Sequence, residues 1–174
     1  QLMVGDEYSI RWLPTYNLGG TEQQLLPTFP PDLGELSGSQ HPFPTERATR
    51  FTTMYVETGR YLRQLIRDFR IAGGTIRRRR FAEPADIAAL PETLVFNCTG
   101  LGSHALFGDD GLVPVRGQLA ILLPQPEINY AYTGRFGYMF PRPDGIVLGG
   151  TFERGVWDAT PQTADIARIL ARHG

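Results

Sequence analysis

Leu94-Val95-Phe96-Asn97-Cys98-Thr99-Gly100-Leu101-Gly102-Ser103-His104 is the stretch on which the fold turns. Leu94-Val95-Phe96 is a compact apolar run of the kind that fills a strand buried on both faces. Asn97 to His104 would then leave the carboxyl end of that strand. In open α/β sheets ligands sit there, because backbone N–H groups and helix starts face outward. Gly100 and Gly102 let a ligand approach the backbone closely, and Thr99 offers a hydroxyl. Glycine turns also follow strands in plain connections, so from these residues alone a cofactor loop and a simple turn both stand.

Upstream, Phe51 to Val56 reads as a strand. Thr58 can cap a helix with apolar positions Leu62, Leu65, Ile66 and Phe69, spaced i, i+3, i+4, i+7. Gly73-Gly74 ends that helix. A strand over Thr75 to Phe81 follows, then a short helix from Pro84 to Leu90. Helix, strand, helix, strand is the order of an α/β layer. Downstream the character changes. Val113 to Leu123, Ile128 to Thr133, Gly137 to Phe140 and Ile146 to Phe152 are short, turn-separated strands that suggest an antiparallel sheet. Thr160 then caps a helix starting at Pro161, with Ile166, Ile169 and Leu170 on one face.

The amino-terminal part opens on a strand over Glu7 to Leu13. Residues 18–50, rich in glycine and proline, read as a long loop with a short helical turn around Thr21 to Leu26. Such a loop either connects or covers a substrate. The fold class expected is α+β: part of an α/β layer joined to a mainly antiparallel sheet.

Composition narrows the function. With 41% hydrophobic and 20% charged residues, the 174-residue chain has the balance of a globular protein. A net charge of -1 supplies no field to draw it to nucleic acid or an anionic membrane. No apolar run approaches the ~20 residues that span a bilayer. Cys98 is alone, which excludes an internal disulfide and predicts a reducing, cytoplasmic compartment. It reads as a small core residue, with no base nearby to make it a nucleophile. Arg77 to Arg80 would split between two faces of a strand rather than form one basic patch. His41, His104 and His173 have no partners at metal-ligand spacing, so no metal is expected.

Taken together, Leu94-Val95-Phe96 with Asn97-Cys98-Thr99-Gly100, then Val115-Arg116-Gly117-Gln118, Tyr138-Met139-Phe140-Pro141, Val147-Leu148-Gly149-Gly150-Thr151-Phe152 and Gly155-x-Trp157 resemble the D-amino-acid oxidase family in order and approximate spacing. Glu57 to Phe81 is similar to the helix and strand before that family's second flavin-contacting loop. The resemblance runs over roughly residues 51 to 157. It implies an FAD-dependent oxidative deamination of a D-amino acid, in which hydride leaves Cα for the flavin and no side-chain base is required.

The same resemblance implies site residues. Phe81 falls where backbone groups hold the adenine end of FAD, Thr99 and Gly100 fall in the loop near the cofactor, and Tyr138 falls where a tyrosine hydroxyl binds the substrate carboxylate. From periodicity alone Tyr138 reads equally as a core aromatic, and Trp157 as packing against the sheet. Residues 57–113 are expected to be part of an FAD-binding domain, with 1–56 and 114–174 forming the substrate-binding domain. The family's glycine-rich nucleotide turn and its carboxylate-gripping arginine are not in this sequence, so the chain reads as a middle portion that would not turn over by itself. Gly134 stands where the family often has a second tyrosine. That departure leaves a glycine- or sarcosine-type amine oxidase or dehydrogenase as an alternative, beside a non-catalytic, flavin-less binding domain. The expected partner is a small amino acid or amine, and a homodimer is allowed.

Overall fold

The computed structural model describes residues 6–19, 32–135 and 137–173. The helical turn expected over Thr21 to Leu26 lies outside them. Strands β1 (Ile10–Leu18), β2 (Gly34–Ser37), β3 (Arg47–Val56), β5 (Leu119–Leu122), β6 (Ala131–Gly134), β7 (Gly137–Arg142) and β8 (Gly145–Gly149) build one seven-stranded sheet. Its order is β2-β3-β1-β6-β7-β8-β5. Every pairing is antiparallel except β1 with β6. A short ladder joins β4 (Val115–Arg116) to β9 (Glu153–Arg154).

The sheet is amphipathic because side chains alternate along each strand. Met139, Ile146, Leu148 and Ala120 point to one face and are sealed by helix α4 (Thr163–His173) through Ile169, which is 2% exposed. Ile166, Tyr130 and Tyr132 pack around them. The opposite face carries Tyr138, Phe140 and Arg142 from β7, in register with Gly149, Val147 and Gly145 of β8.

Between β3 and β4 the chain forms α1 (Thr58–Ile71), α2 (Pro84–Ala88) and α3 (Gly102–Phe107). Helix α1 starts at the expected threonine, with Glu57 as the cap position. It ends as the two glycines require: Gly73 takes φ +90°, its amide reaches Arg70 O, and the Gly74 amide reaches Phe69 O. The apolar stripe of α1 is not buried as expected, for Leu62 and Phe69 are exposed. What holds the helix is the turn at residues 6–8, where the Tyr8 hydroxyl donates to Asp68 at 2.7 Å.

The structure corrects several expectations. Thr75 to Phe81 and Leu94-Val95-Phe96 are not strands, and Leu94 and Phe96 are 71% and 80% exposed. An apolar run becomes a buried strand only where neighbours complete its ladder, and among the described residues no strand pairs with either segment. Cys98 is exposed for the same reason. Strand β1 starts at Ile10 and runs to Leu18, past Pro14. The proline is tolerated where β6 has not begun, since that ladder starts at Thr15. Helix α4 starts at Thr163 rather than Pro161. The Thr160 amide and hydroxyl are taken up by Asp158 Oδ1, and the Gln162 carbonyl accepts the first helical amides. The result is a mixed α/β fold with one large, mostly antiparallel sheet and few helices.

Candidate functional site

The open face of β7 supplies an aromatic wall. Tyr138 and Phe140 are two residues apart and so lie side by side, their ring centroids 5.1 Å apart. Tyr55 from β3 continues the row, 5.8 Å from Phe140. A cleft of about 640 Å³ runs along this wall to the start of α1, bounded also by Leu119, Glu57, Arg60 and Arg63. Tyr138 keeps its place because its register partner is Gly149. A Cβ there would lie 2.0 Å from the ring Cζ and 2.4 Å from the hydroxyl oxygen.

Glu57 lines the cleft beside the start of α1 and is paired with Arg11, which does not line it. Glu57 is 8% exposed, and burial pushes its carboxyl above the usual range, against the opposing pull of Arg11 and Arg142. Arg11 lies 3.3 Å from Glu57, donates to the Pro141 carbonyl at 2.5 Å and covers the Tyr55 ring. Burial likewise pushes the Tyr55 phenol up to about 12. Arg142 is occupied by Asp144 through two bonds at 2.8 and 2.5 Å across the hairpin tip. The cleft therefore offers two phenols, Tyr55 and Tyr138, apolar ring faces, and three arginines (Arg60, Arg63, Arg142) against two carboxylates (Glu57, Asp144), a composition suited to binding and orienting a small polar molecule. Sequence reasoning reached Tyr138 but not Tyr55, Phe140, Glu57 or Leu119. Tyr55 and Glu57 lie more than eighty residues upstream, and only the sheet order brings β3 to β7.

The loop after Phe96 is held by its own side chains. Asn97 Oδ1 accepts from the Thr99 amide and hydroxyl, at 3.1 and 2.8 Å, and the Thr99 and Ser103 hydroxyls are 2.7 Å apart. This Asx turn leads into α3. Gly100 takes φ +54°, with no heavy atom within 4 Å of an added Cβ. Among the described residues, nothing accepts from the Gly100 or Leu101 amides. Phe81 is half-buried beneath the Arg79 guanidinium, and its backbone makes no hydrogen bond among the described residues. The unengaged Gly100 and Leu101 amides, with open space at Gly100, are donors of the kind an anionic dinucleotide such as FAD requires.

Phe81, Thr99 and Gly100 do not line the Tyr138 cleft. Leu101, the next residue after Gly100, lines a second cleft of about 470 Å³ with Arg116, Gln118, Trp157 and Ile166. Leu119 borders both clefts. Trp157 does not pack on the sheet as expected. It is exposed, and its ring stands 5.4 Å from His104 of α3. Among the described residues no group of His, Cys, Asp and Glu could hold a metal ion, and no helix is long and apolar enough to cross a membrane.

Comparison with known families matches residues 18–173 to the FAD dependent oxidoreductase family. The chain belongs to that family. Among curated relatives, it is 34% identical over 133 residues to a D-amino acid oxidase of Dugesia ryukyuensis, covering 74% of this chain and 39% of the relative. Against a D-amino-acid oxidase of Streptomyces coelicolor it is 36% identical over 107 residues, covering 58% and 32%. Against human D-aspartate oxidase it is 33% identical over 123 residues, covering 70% and 36%. The chain thus spans well under half the length of the relatives it matches.

Proposed function

We propose that this oxidoreductase chain supplies the substrate-carboxylate contact and part of the cofactor cradle of an FAD-dependent enzyme that oxidatively deaminates a D-amino acid. The observation that carries this reading is Tyr138, fixed over Gly149 on the aromatic wall of a cleft of substrate size, in a chain of the flavin-dependent family. Residues 57–113 serve the FAD-binding part, and the two flanking stretches form the substrate part. The Phe81 backbone, Thr99 and Gly100 hold FAD, which when bound supplies the acceptor for the hydride that leaves Cα. The Tyr138 hydroxyl donates to the substrate carboxylate, and the Phe140 and Tyr55 rings exclude water from the substrate's apolar side.

A second reading, a glycine- or sarcosine-type amine oxidase, draws no support from Gly134: paired with Gly137, it lies on the Met139 face of the sheet and not in the Tyr138 cleft, and a Cβ there would meet the Leu18 carbonyl at 2.6 Å. An anaerobic flavin spectrum of the full-length protein, titrated with D- and L-amino acids, glycine and sarcosine, separates the readings. Bleaching by a D-amino acid supports the first. Bleaching by glycine or sarcosine alone transfers the assignment to the second, and a colourless protein with added FAD overturns both.

A further inference from the structure

On the side of β8 away from the Tyr138 ring, His173 in the last turn of α4 reaches back to the sheet. Its Nε2 lies 3.2 Å from the Gly149 carbonyl oxygen, and its Nδ1 lies 2.5 Å from the Tyr132 hydroxyl. A carbonyl only accepts, so Nε2 carries the proton. In a neutral ring Nδ1 then accepts, and Tyr132 donates. Burial raises the Tyr132 pKa, which keeps its hydroxyl a donor.

Gly137 completes the arrangement, with φ +123°. A Cβ there would lie 2.1 Å from the Gly149 oxygen and 2.9 Å from His173 Nε2. Gly137 thus admits the histidine to the same carbonyl whose residue bears the Tyr138 ring. We infer that His173 is a positioning residue for Tyr138: it fixes the Gly149 peptide, with Tyr132 setting its tautomer, and so fixes the phenol that faces the substrate. The inference rests on Tyr138 being the carboxylate ligand. It adds a residue from a helix that lies wholly on the other face of the sheet.

The test is steady-state kinetics of the full-length, FAD-loaded enzyme with D-alanine. His173→Ala is expected to raise KM about five- to tenfold while changing kcat less than about twofold, as loss of uniform substrate binding does. His173→Gln, whose amide N–H can still reach the carbonyl, is expected to recover most of that loss. In a Tyr138→Phe background, His173→Ala should add little, because the group it positions has already gone. A KM unchanged in His173→Ala, or raised equally with and without Tyr138, overturns the inference even if Tyr138→Phe alone raises KM. A Tyr138→Phe enzyme with unchanged KM overturns the carboxylate reading and the inference together. Thermal unfolding of each variant identifies a merely structural role: a lowered midpoint with unaltered KM counts against positioning.

Discussion

The Tyr138 ring lies across the backbone of Gly149, its register partner on β8, with no room between them for a methyl group. The contact ties a side chain to a backbone rather than to another side chain, so it survives only while position 149 lacks a Cβ. The strand pairing and the phenol's position are therefore one constraint.

Gly149→Ala should break both at once. The ring must leave its place or the two strands must part, at a cost of about 1–3 kcal/mol for overpacking. Urea denaturation gives the stability loss, and near-ultraviolet circular dichroism reports the displaced ring. A variant that matched the wild type on both measures would show that position 149 has room for a methyl group and that the tight ring contact is absent.

Tyr138→Phe keeps the wall and removes only the hydroxyl. If that hydroxyl holds a substrate carboxylate, the lost bond to a charged group is worth about 1.5–3 kcal/mol. KM in the full-length enzyme should then rise at least tenfold, with kcat much less affected.

The antiparallel part of this architecture was legible from residues 113 onward, because half-buried strands carry alternation in their own side chains. Tyr138 fell in a strand readable that way, Gly149 in a short apolar run bounded by turns, and the helix bearing Ile169 was readable from the spacing of Ile166, Ile169 and Leu170. The strands expected over Thr75 to Phe81 and at Leu94-Val95-Phe96 did not form, for a physical reason, while the helix between them did, at Pro84–Ala88. Apolar runs such as Leu94-Val95-Phe96 announce a buried strand only through neighbours that a single segment does not encode. The candidate site was legible at Tyr138 through family resemblance. Tyr55, Glu57 and His173 stayed hidden, since each reaches the site through strand order or helix docking and carries no local motif.

Glu57 gives the chain a pH dependence whose sign follows from its burial. Its carboxyl is raised in the folded state, mainly by desolvation and despite Arg11. Its contribution to stability is therefore full below the unfolded carboxylate pKa and is lost as pH rises through the folded one. Glu57→Gln should accordingly gain on the wild type as pH rises above the unfolded carboxylate range of about 4. Urea midpoints of both proteins across that rise test it. A wild type that instead gains on the variant would mean the Arg11 pairing outweighs burial.

Gln118 anchors the other end of α4. Its buried side chain accepts the Gln162 amide at 2.6 Å and donates to Asp165, while its backbone amide donates to Thr151 Oγ1 at 2.9 Å. With Gln118 at its first turn and His173 reaching Gly149 from its last, α4 is pinned to the sheet at both ends. Gln118→Leu leaves the Gln162 donor without its acceptor and Asp165 without one of its donors, beside an apolar methyl pair. The expected cost is about 2–4 kcal/mol. Hydrogen exchange should then speed in the first turn of α4 before it changes in β1 and β3, which share no bond with Gln118. Uniform acceleration across the sheet would mean that α4 and the strands unfold as one unit, and that the pinning at Gln118 has no local character.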